Sequence, residues 1–343
     1  KMVAEYEYEK LLERKEKMMF IDVRSPKEYA EGHIPGAVNI PVFSDIEREK
    51  VGIIYKKTGK REATREAVKI VGLKVYDIYR KFEEILEKGT KLVIYCARGG
   101  MRSSTVAALF KELSLPVLKL SKGYKGYRAY VNKALPEIIK KMRFIVLYGK
   151  TGSGKTKILK ELQEKGCNVL DLEGCANHRG SLLGSIGLGR EYSQKYFESL
   201  VLESLLSFRT ETVFVEGESQ RIGNIVIPIY LYKAILNGEK IYIETDVHRR
   251  IDIIKEEYLK EGYDKEEIIK AVHKLSRYIG EKQTEEFIGN IKDNRFDTVI
   301  KDLIEKYYDR VYKTKGKTIE KVFYNENEEK CALEIIKYFT GGE

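Results

Sequence analysis

Cysteine is scarce in this chain, and tryptophan is absent: 343 residues contain four cysteines and no tryptophan. No two cysteines form a CxxC pair, so neither a zinc ribbon nor a disulfide framework is indicated. No apolar stretch reaches the roughly 18 residues of a membrane span, and the charged segment 1–17 lacks the apolar region of a signal peptide. We therefore expect a soluble, cytoplasmic protein with no membrane partner.

The four cysteines leave single-thiol chemistry as the open possibility. Cys96 follows an apolar run and precedes a glycine-rich segment, which makes it the best-placed candidate. We expect Cys167, Cys175 and Cys331 to be buried small apolar residues.

The positive charge of the chain is concentrated in its first part. Overall there are 63 basic and 53 acidic residues, a net charge of +10. Residues 1–141 hold 30 of the basic and 19 of the acidic residues, whereas 142–343 hold 33 and 34. A positive first domain suits a polyanionic partner but does not identify one.

Short apolar runs alternate with amphipathic stretches in both halves, which is typical of α/β folds with parallel sheets. The length indicates two domains, which we place at residues 1–135 and 136–343. Strands are predicted at 18–23, 92–95 and 117–120, and at 143–148, 168–172, 212–216 and 241–245. Helices are predicted at 62–71, 75–87, 249–261 and 265–280, and the charged C-terminal region is predicted to be mostly helical.

The first candidate site is the loop that follows the strand at 92–95. A glycine-rich turn between a strand and a helix points its backbone N–H groups inward as an anion-binding nest, and the helix adds its positive end. Both effects favour the reactive thiolate. The candidate catalytic residues are Cys96, Arg98, Gly99, Gly100 and Arg102.

The same loop also fits the C-x5-R-[ST] pattern of cysteine phosphatases. Tyr95 stands where such phosphatases usually have histidine, and no candidate general-acid aspartate is evident near the loop. These two departures count against a phosphatase.

The second candidate site, residues 149–156, matches G-x-x-x-x-G-K-[ST] at every position after a predicted strand. Its amides would wrap a diphosphate, Lys155 would neutralise charge, and Thr156 could hold Mg²⁺. The motif indicates a diphosphate without specifying ATP. The candidate binding residues are Gly149, Thr151, Gly152, Ser153, Gly154, Lys155 and Thr156.

Two further segments of the second half carry polar residues in positions that suit a site. Glu216 ends a predicted strand, and Glu218 and Ser219 follow it. The carboxylates there could bind Mg²⁺ or orient a nucleophile; a solvated loop is the alternative. His178, Arg179 and Ser181 open a glycine-rich stretch that could contact phosphate or RNA, or could be a surface turn.

A longer segment, residues 22–41, resembles the rhodanese signature D-x-R-x-x-x-E-[FY]-x-x-G-H-I-x-G-A-x-N-[IV]-P. The resemblance implies a rhodanese-like domain whose loop cysteine carries sulfur or selenium. We expect His33, within this signature, to be a structural hydrogen-bonding residue.

The order of a rhodanese-like domain and a P-loop domain resembles the tRNA 2-selenouridine synthase family over nearly the whole chain. Further matching strings are C-x-R-G-G-x-R-S at 96–103, Gly-Tyr-Lys at 123–125, His-Arg-Gly-Ser at 178–181 and Glu-x-Glu-Ser at 216–219. One departure is Ala97, where a bulky aromatic residue is expected; the rim of the Cys96 cradle is thereby altered, but its backbone donors remain.

The resemblance implies two steps on a wobble 2-thiouridine. First, the base sulfur attacks geranyl diphosphate and expels diphosphate; second, selenium from selenophosphate displaces the geranylthio group. Cys96 would act as nucleophile or selenium carrier. No tightly bound cofactor is expected, Mg²⁺ is an option, and an enzyme supplying selenophosphate is an expected partner. The oligomeric state stays open.

A tRNA substrate requires a basic surface, and basic residues crowd the link between the two predicted domains. Their contacts would be with phosphates, while neighbouring tyrosines could stack a base or pack the core. The tRNA-binding candidates are Lys122, Lys125, Arg128, Lys133, Lys140 and Lys141.

Two other classes of function remain open at this point. One is a sulfurtransferase fused to a P-loop kinase that acts on small molecules and consumes ATP without RNA. The other is a non-enzymatic regulator with a degenerate rhodanese fold, against which the intact Cys96 and the intact P-loop both argue.

Overall fold

The structure is a computed structural model, and it describes residues 3–179, 189–217, 219–259, 263–311 and 318–341. The chain divides into two compact units. The first unit comprises Lys1–Leu135 together with Glu198–Leu202, and the second comprises Pro136–Phe197 together with Glu203–Glu343.

The first unit alternates strands and helices. Its strands are β1 (Glu5–Tyr6), β2 (Lys17–Asp22), β3 (Val38–Asn39), β4 (Thr90–Tyr95) and β5 (Val117–Leu120). Its helices are α1 (Tyr8–Leu12), α2 (Pro26–Ala30), α3 (Asp45–Thr58), α4 (Lys60–Gly72), α5 (Val75–Ile85) and α6 (Met101–Glu112); α7 (Gly123–Ile139) follows.

The five strands of this unit form one sheet in the order β1-β5-β4-β2-β3, with every neighbouring pair parallel. Register pairs Asp22 with Tyr95, so the segments that follow β2 and β4 leave the sheet at the same edge. The parallel α/β architecture predicted from the sequence is confirmed. The rhodanese-like signature and the Cys96 loop therefore both lie at the edge of the sheet where the carboxyl ends of the strands meet.

Apolar side chains of the sheet and the helices fill the core of the first unit. Leu92 and Ile94 of β4 are fully buried, and Phe82 of α5 packs edge-on against Phe110 of α6 with ring centroids 4.8 Å apart. A strand buried on both faces reads as a continuous apolar run, which is why β4 could be predicted from the sequence.

The second unit has the same alternation followed by a helical region. Its strands are β6 (Arg143–Tyr148), β7 (Val169–Leu170), β8 (Thr212–Glu216), β9 (Arg221–Ile222), β10 (Ile225–Val226), β11 (Glu239–Glu244) and β12 (Lys321–Tyr324). Its helices are α8 (Lys155–Glu164), α9 (Leu172–Ala176), α10 (Gln194–Ser207), α11 (Ile229–Asn237), α12 (Val247–Tyr258), α13 (Lys265–Lys274), α14 (Ser276–Ile279), α15 (Glu281–Lys292), α16 (Phe296–Leu303), a π-helix (Ile304–Tyr308), α17 (Asp309–Val311) and α18 (Glu328–Thr340). Helix α10 contributes its residues 198–202 to the first unit.

The main sheet of this unit runs β12-β11-β6-β8-β7 and is also entirely parallel, while β9 and β10 form a small antiparallel hairpin. Register pairs Leu147 with Glu216 and Leu170 with Val215. The segments after β6, β8 and β7 consequently lie side by side at the carboxyl edge of the sheet, where ligands of open α/β folds bind.

The helical region departs from the sequence prediction in two places. The helix predicted at 265–280 is divided into α13 and α14, and Gly280, with φ of +86°, precedes α15. Strand β12 was not predicted, because its four residues form an edge strand in which only Phe323 is buried. None of the helices in the described ranges is long and apolar enough to span a bilayer.

Candidate functional site

Cys96 directly follows β4 and lies at the base of the loop that leads into α6. The thiol side chain is buried, with 3% of the residue exposed. Helix α6 begins at Met101 with Gly100 at its N-cap, so the loop joins the carboxyl end of a strand to the positive end of a helix. The strand–loop–helix arrangement predicted for this site is present.

The beginning of α7 braces this loop from behind. The amides of Tyr124 and Lys125 donate to the carbonyl oxygens of Cys96 and Ala97 at 2.9 and 3.0 Å. Gly123 has φ of +54°, and a Cβ there would lie 2.1 Å from the carbonyl oxygen of Cys96. Only glycine allows this approach, so the shape of the loop depends on a residue well outside it.

The environment of the Cys96 sulfur favours its ionised form. Burial alone would raise the pKa of the thiol, but hydrogen bonds from the Ser103 hydroxyl and from the amides of Ser103 and Arg98, with the charge of Arg102, lower it. Sγ lies 3.2 Å from the Ser103 hydroxyl oxygen. Burial, by contrast, raises the thiol pKa of Cys167, Cys175 and Cys331. Cys96 therefore differs from the other three cysteines in the direction of its pKa shift, because only there do hydrogen bonds and a nearby positive charge outweigh burial.

The two arginines of the loop have different surroundings. Arg102 donates to both carboxylate oxygens of Glu28, at 2.7 and 3.2 Å, and Arg48 of α3 lies 3.7 Å from the same carboxylate. Arg98 is exposed and forms no ion pair within the described ranges. Arg102 thus ties the loop to the rhodanese-like signature, while Arg98 is the loop cation available to an incoming anion.

Replacing Glu28 by glutamine is expected to destabilise the first unit at pH 7 and to do so less at low pH. Burial would raise the pKa of Glu28, but Arg102 outweighs it and the pKa is lowered. Its stabilising contribution is therefore full above the unfolded-state pKa of about 4.3 and is lost as the pH falls through the folded-state value. We expect a loss of about 1–3 kcal/mol at pH 7, measured by calorimetric unfolding at pH 7 and pH 3.

Glu62→Gln is the control for this comparison, because Glu62 pairs with Arg65 on an exposed helix face. Such pairs contribute about 0–1 kcal/mol. An equal effect of Glu28→Gln at both pH values would show that the carboxylate charge is not what stabilises the loop.

His33 fills the structural role predicted for it. Its Nδ1 lies 2.9 Å from the carbonyl oxygen of Tyr29, and the imidazole stacks on the Tyr29 ring with centroids 3.7 Å apart. Burial lowers its pKa. The ring is thus held neutral inside the signature segment.

The second loop follows β6 and leads into α8. Lys155 opens this helix, and its ammonium donates to the Gly149 carbonyl at 2.8 Å and lies 3.2 Å from a carboxylate oxygen of Glu216. The Thr156 hydroxyl lies 3.3 Å from the other oxygen of Glu216. The geometry brings together the predicted Lys155, Thr156 and Glu216 at the end of two adjacent strands.

The shape of this loop is held by side chains from distant segments. The Ser153 carbonyl accepts from the Thr245 hydroxyl at 2.9 Å and from the Asn325 side-chain amide at 3.0 Å. Arg250, which is 3% exposed, donates to the Thr151 carbonyl at 2.9 Å and forms a bidentate pair with Asp309. These bonds fix the directions of two loop carbonyls and so hold the shape of the loop.

Asp171 also lies at this edge of the sheet and was not among the predicted site residues. It follows β7, next to Glu216 across the β7–β8 pair, and its carboxylate accepts from the Gly174 amide at 2.8 Å as the N-cap of α9. The pKa of Asp171 is raised, first because surrounding protein atoms partly desolvate its carboxylate and then because Glu216 is negatively charged. The residue is nevertheless exposed to solvent. A carboxyl residue directly after a strand was the available signal.

The remaining candidates of the second unit have structural partners. His178 is buried with Nε2 3.6 Å from Glu191, and Arg179 pairs with Glu257 at 3.1 Å over the Tyr258 ring. The Ser219 hydroxyl donates to the Arg221 carbonyl within the turn before β9. Ser181 and Glu218 lie outside the described residues.

The six basic candidates for tRNA binding fall into two groups. Lys125, Lys133 and Lys141 are exposed and form no ion pair in the described part of the chain, whereas Lys122 and Lys140 pair with Glu7 and Glu137 at 2.7 Å. Arg128 is largely buried against Glu198 and Ser199. Tyr124 and Tyr127 are buried, which supports packing rather than base stacking for these two rings.

A magnesium ion would find suitable oxygen donors in Thr156 and Glu216. Magnesium is commonly held by one or two carboxylates together with waters and phosphate oxygens, and these two side chains lie together at the loop. No cluster of three or more histidine, cysteine, aspartate or glutamate side chains suited to a metal occurs among the described residues. The oxygen atoms of Thr156 and Glu216 thus fit a magnesium ion that binds together with a phosphorylated substrate.

Comparison with known proteins identifies both units. Residues 142–339 match the family model described as the tRNA 2-selenouridine synthase AAA domain, and residues 5–130 match the rhodanese-like domain. These matches confirm the predicted fold class of a rhodanese-like domain followed by a P-loop α/β domain. The first match alone covers more than half of the chain.

Individual relatives extend this similarity along the chain. The chain is similar to the tRNA 2-selenouridine synthase of Sulfurovum sp. (strain NBC37-1), with 30% identity over 85% of this chain and 87% of that protein. The enzyme of the same name from Pseudomonas syringae pv. syringae (strain B728a) is 34% identical over 70% of this chain, and the match spans 65% of its length.

Among solved structures, a similar one is the N-terminal domain of a putative ATP/GTP binding protein from Clostridium difficile 630. It shows 42% identity over 37% of this chain and 98% of that chain, with a TM-score of 0.36.

Proposed function

Because the chain belongs to the tRNA 2-selenouridine synthase family, we propose that it converts 2-thiouridine at the wobble position of tRNA to 2-selenouridine. The observation that supports this most directly is the presence on one chain of two different strand–loop–helix segments, each of a kind that suits an anion. One surrounds a thiol of lowered pKa, and the other is a P-loop with Lys155 and Glu216 in contact. Each loop suits one step of a two-step replacement.

In the first step, we propose that the P-loop binds geranyl diphosphate. The sulfur of the base attacks the first carbon of the geranyl group, the S–C bond forms, and the C–O bond breaks with its electrons passing to diphosphate. The loop amides and Lys155 neutralise the charge that develops on the leaving group. In a P-loop kinase a phosphoryl group would be transferred to the acceptor. In the proposed reaction the geranyl group is transferred to the base sulfur, and the diphosphate stays bound to the P-loop.

Magnesium, when bound, supplies further positive charge to the diphosphate. Thr156 and Glu216 are the side chains that would hold it. Glu216 also keeps Lys155 oriented toward the loop, since its two carboxylate oxygens contact Lys155 and Thr156 separately.

In the second step, we propose that the Cys96 thiolate bonds to C2 of the base and the C2–S bond breaks, so that the geranylthio group leaves with the bonding electrons. Selenium of selenophosphate then bonds to C2, the C2–Sγ bond breaks with its electrons returning to Cys96, and water cleaves the Se–P bond to release phosphate. We assign this step to the Cys96 loop, whose helix N-terminus and inward amides suit a selenophosphate anion. Arg98 is the exposed cation at its rim. An enzyme that makes selenophosphate is therefore a proposed partner.

The tRNA itself is proposed to contact the exposed lysines of the first unit and of the segment after it. Lys125, Lys133 and Lys141 are exposed and form no ion pair within 4.0 Å in the described residues. Because phosphate contacts release counterions, tRNA affinity should fall steeply with salt concentration. A tRNA substrate places the proposed activity in the cytoplasm.

Nucleoside mass spectrometry tests the proposal. The protein is incubated with 2-thiouridine-containing tRNA and geranyl diphosphate, with and without selenophosphate, and the tRNA is digested and analysed. We expect a geranylated nucleoside that becomes 2-selenouridine when selenophosphate is added. Unchanged tRNA, together with ATP turnover in its absence, would instead support a sulfurtransferase fused to a small-molecule kinase.

A further inference from the structure

Ser103 lies at the first turn of α6 with its side chain directed at the Cys96 sulfur. It is fully buried, at 0% exposure. Its hydroxyl oxygen lies 3.2 Å from Sγ of Cys96 and 3.2 Å from the carbonyl oxygen of Gly100. In the sequence, Ser103 marked only the end of the loop motif; the structure places it in contact with the reactive atom.

The hydroxyl has one hydrogen and two acceptors for it. When Cys96 is a neutral thiol, sulfur is a weak acceptor, and the hydroxyl is better satisfied by Gly100. When the sulfur is a thiolate, a hydrogen bond to it is charge-assisted and about twice as strong as a neutral one. Rotation about the Cβ–Oγ bond of Ser103 therefore turns the hydroxyl hydrogen from the Gly100 carbonyl to the sulfur when the sulfur becomes charged.

No other side chain of the described residues hydrogen-bonds this sulfur. Arg102 is oriented toward Glu28 and acts on the sulfur through its charge, and Arg98 projects into solvent. The other hydrogen bonds to sulfur come from the backbone amides of Ser103 and Arg98. Ser103 is thus the one side chain whose replacement removes a hydrogen bond to sulfur and leaves the backbone cradle in place.

We propose that Ser103 is a catalytic residue that donates its hydroxyl hydrogen to the Cys96 sulfur whenever that sulfur carries negative charge. It does so before Cys96 reacts, and again when selenium displaces Cys96 from C2 of the base and the electrons of the C2–Sγ bond return to the sulfur. The first effect is a property of the free protein. The second rests on the proposed function, because it requires that Cys96 takes part in the selenium step.

The hydrogen bond from Ser103 changes the ionisation of Cys96 and the nucleophilicity of its thiolate in opposite directions. Stabilising the thiolate raises the fraction of ionised Cys96 at neutral pH but lowers the intrinsic nucleophilicity of each thiolate. Removing the hydroxyl should therefore shift the pH at which Cys96 becomes reactive upward, without lowering the rate at high pH. A serine that only filled space in the core would not move this profile.

The test is alkylation of the intact protein by iodoacetamide between pH 5 and pH 10, with each cysteine quantified by peptide mass spectrometry. For Ser103→Ala we expect the midpoint of Cys96 alkylation to rise by about one pH unit, and the rate at pH 7 to fall about threefold, because the greater nucleophilicity of the less stabilised thiolate offsets part of the loss of ionised thiol. Ser104→Ala is the matched control, because Ser104 is the next residue on α6 and does not contact the sulfur. Cys167 is an internal control whose profile should stay unchanged.

A second pair of variants separates the hydroxyl from packing. Threonine and valine at position 103 have nearly the same shape, and only threonine keeps the hydroxyl. We expect Ser103→Thr to retain a lower midpoint than Ser103→Val, even if both pack less well than serine. Cys175 and Cys331 report on folding, since burial raises the pKa of both thiols and should keep them unreactive while the protein is folded.

Identical Cys96 midpoints in the wild type and Ser103→Ala, or in the threonine and valine variants, would overturn the proposal. Conversion of geranylated to selenylated tRNA, measured on the same variants, is expected to slow about 10²-fold without the hydroxyl. If the midpoint shifts but the wild-type protein does not modify tRNA, the proposed function fails and the hydrogen bond stands. If the protein modifies tRNA but the Cys96 midpoint does not shift in the variants, the proposed function stands and the proposed role of Ser103 fails.

Discussion

Lys155→Ala is expected to abolish geranylation of the tRNA, with a fall in rate on the order of 10³-fold. Its ammonium lies at the start of α8, in contact with the Gly149 carbonyl and with Glu216. In the proposed reaction this charge faces the departing diphosphate, so its removal costs most in the transition state. The rate is measured by mass spectrometry of the geranylated nucleoside in single-turnover reactions.

The matched control for Lys155→Ala is Lys160→Ala, because Lys160 lies on the same helix with its side chain exposed and only a distant partner in Glu164. That variant should geranylate at the wild-type rate. Chemically prepared geranylated tRNA should still be converted to 2-selenouridine by Lys155→Ala. A loss of both steps would contradict the assignment of the P-loop to geranyl transfer alone.

Cys96→Ala is expected to stop selenium incorporation, with a loss on the order of 10⁴-fold or more, as for nucleophiles of other enzymes. Geranylated tRNA should accumulate in the presence of selenophosphate, because the P-loop belongs to the other unit and is unaltered. The measurement is the ratio of the geranylated to the selenylated nucleoside over time.

Cys167→Ala serves as the control, since Cys167 has a raised pKa and no place in the loop. It should produce 2-selenouridine like the wild type. Normal selenium incorporation by Cys96→Ala would remove the thiol from the mechanism and leave the loop as a selenophosphate cradle only.

The features that the sequence predicted correctly are those that neighbouring residues determine. Both strand–loop–helix segments are contiguous, with glycines, a cation and an apolar strand close together in the chain. Glycines at fixed positions and a strand just before them leave few other structures available. The parallel sheets followed from apolar runs alternating with amphipathic helices.

The features that the sequence did not predict depend on residues far apart in the chain. Nothing near Gly123 indicates that its missing side chain makes room for the carbonyl of Cys96. Asn325 follows an edge strand too short to be predicted, and Glu28 pairs with an arginine 74 positions away. Such contacts arise only when the fold is complete, so a local sequence pattern cannot predict them.

The bond between Asn325 and the Ser153 carbonyl joins residues 172 positions apart, and it bears on how the protein matures. During synthesis, the P-loop segment is complete long before β12 and Asn325 are made. Contacts of such large sequence separation form late and slow down folding. The cradle should therefore acquire its final shape, and with it its affinity for diphosphate, only in the last stage of folding. Binding of inorganic diphosphate would then serve as a marker of the finished second unit.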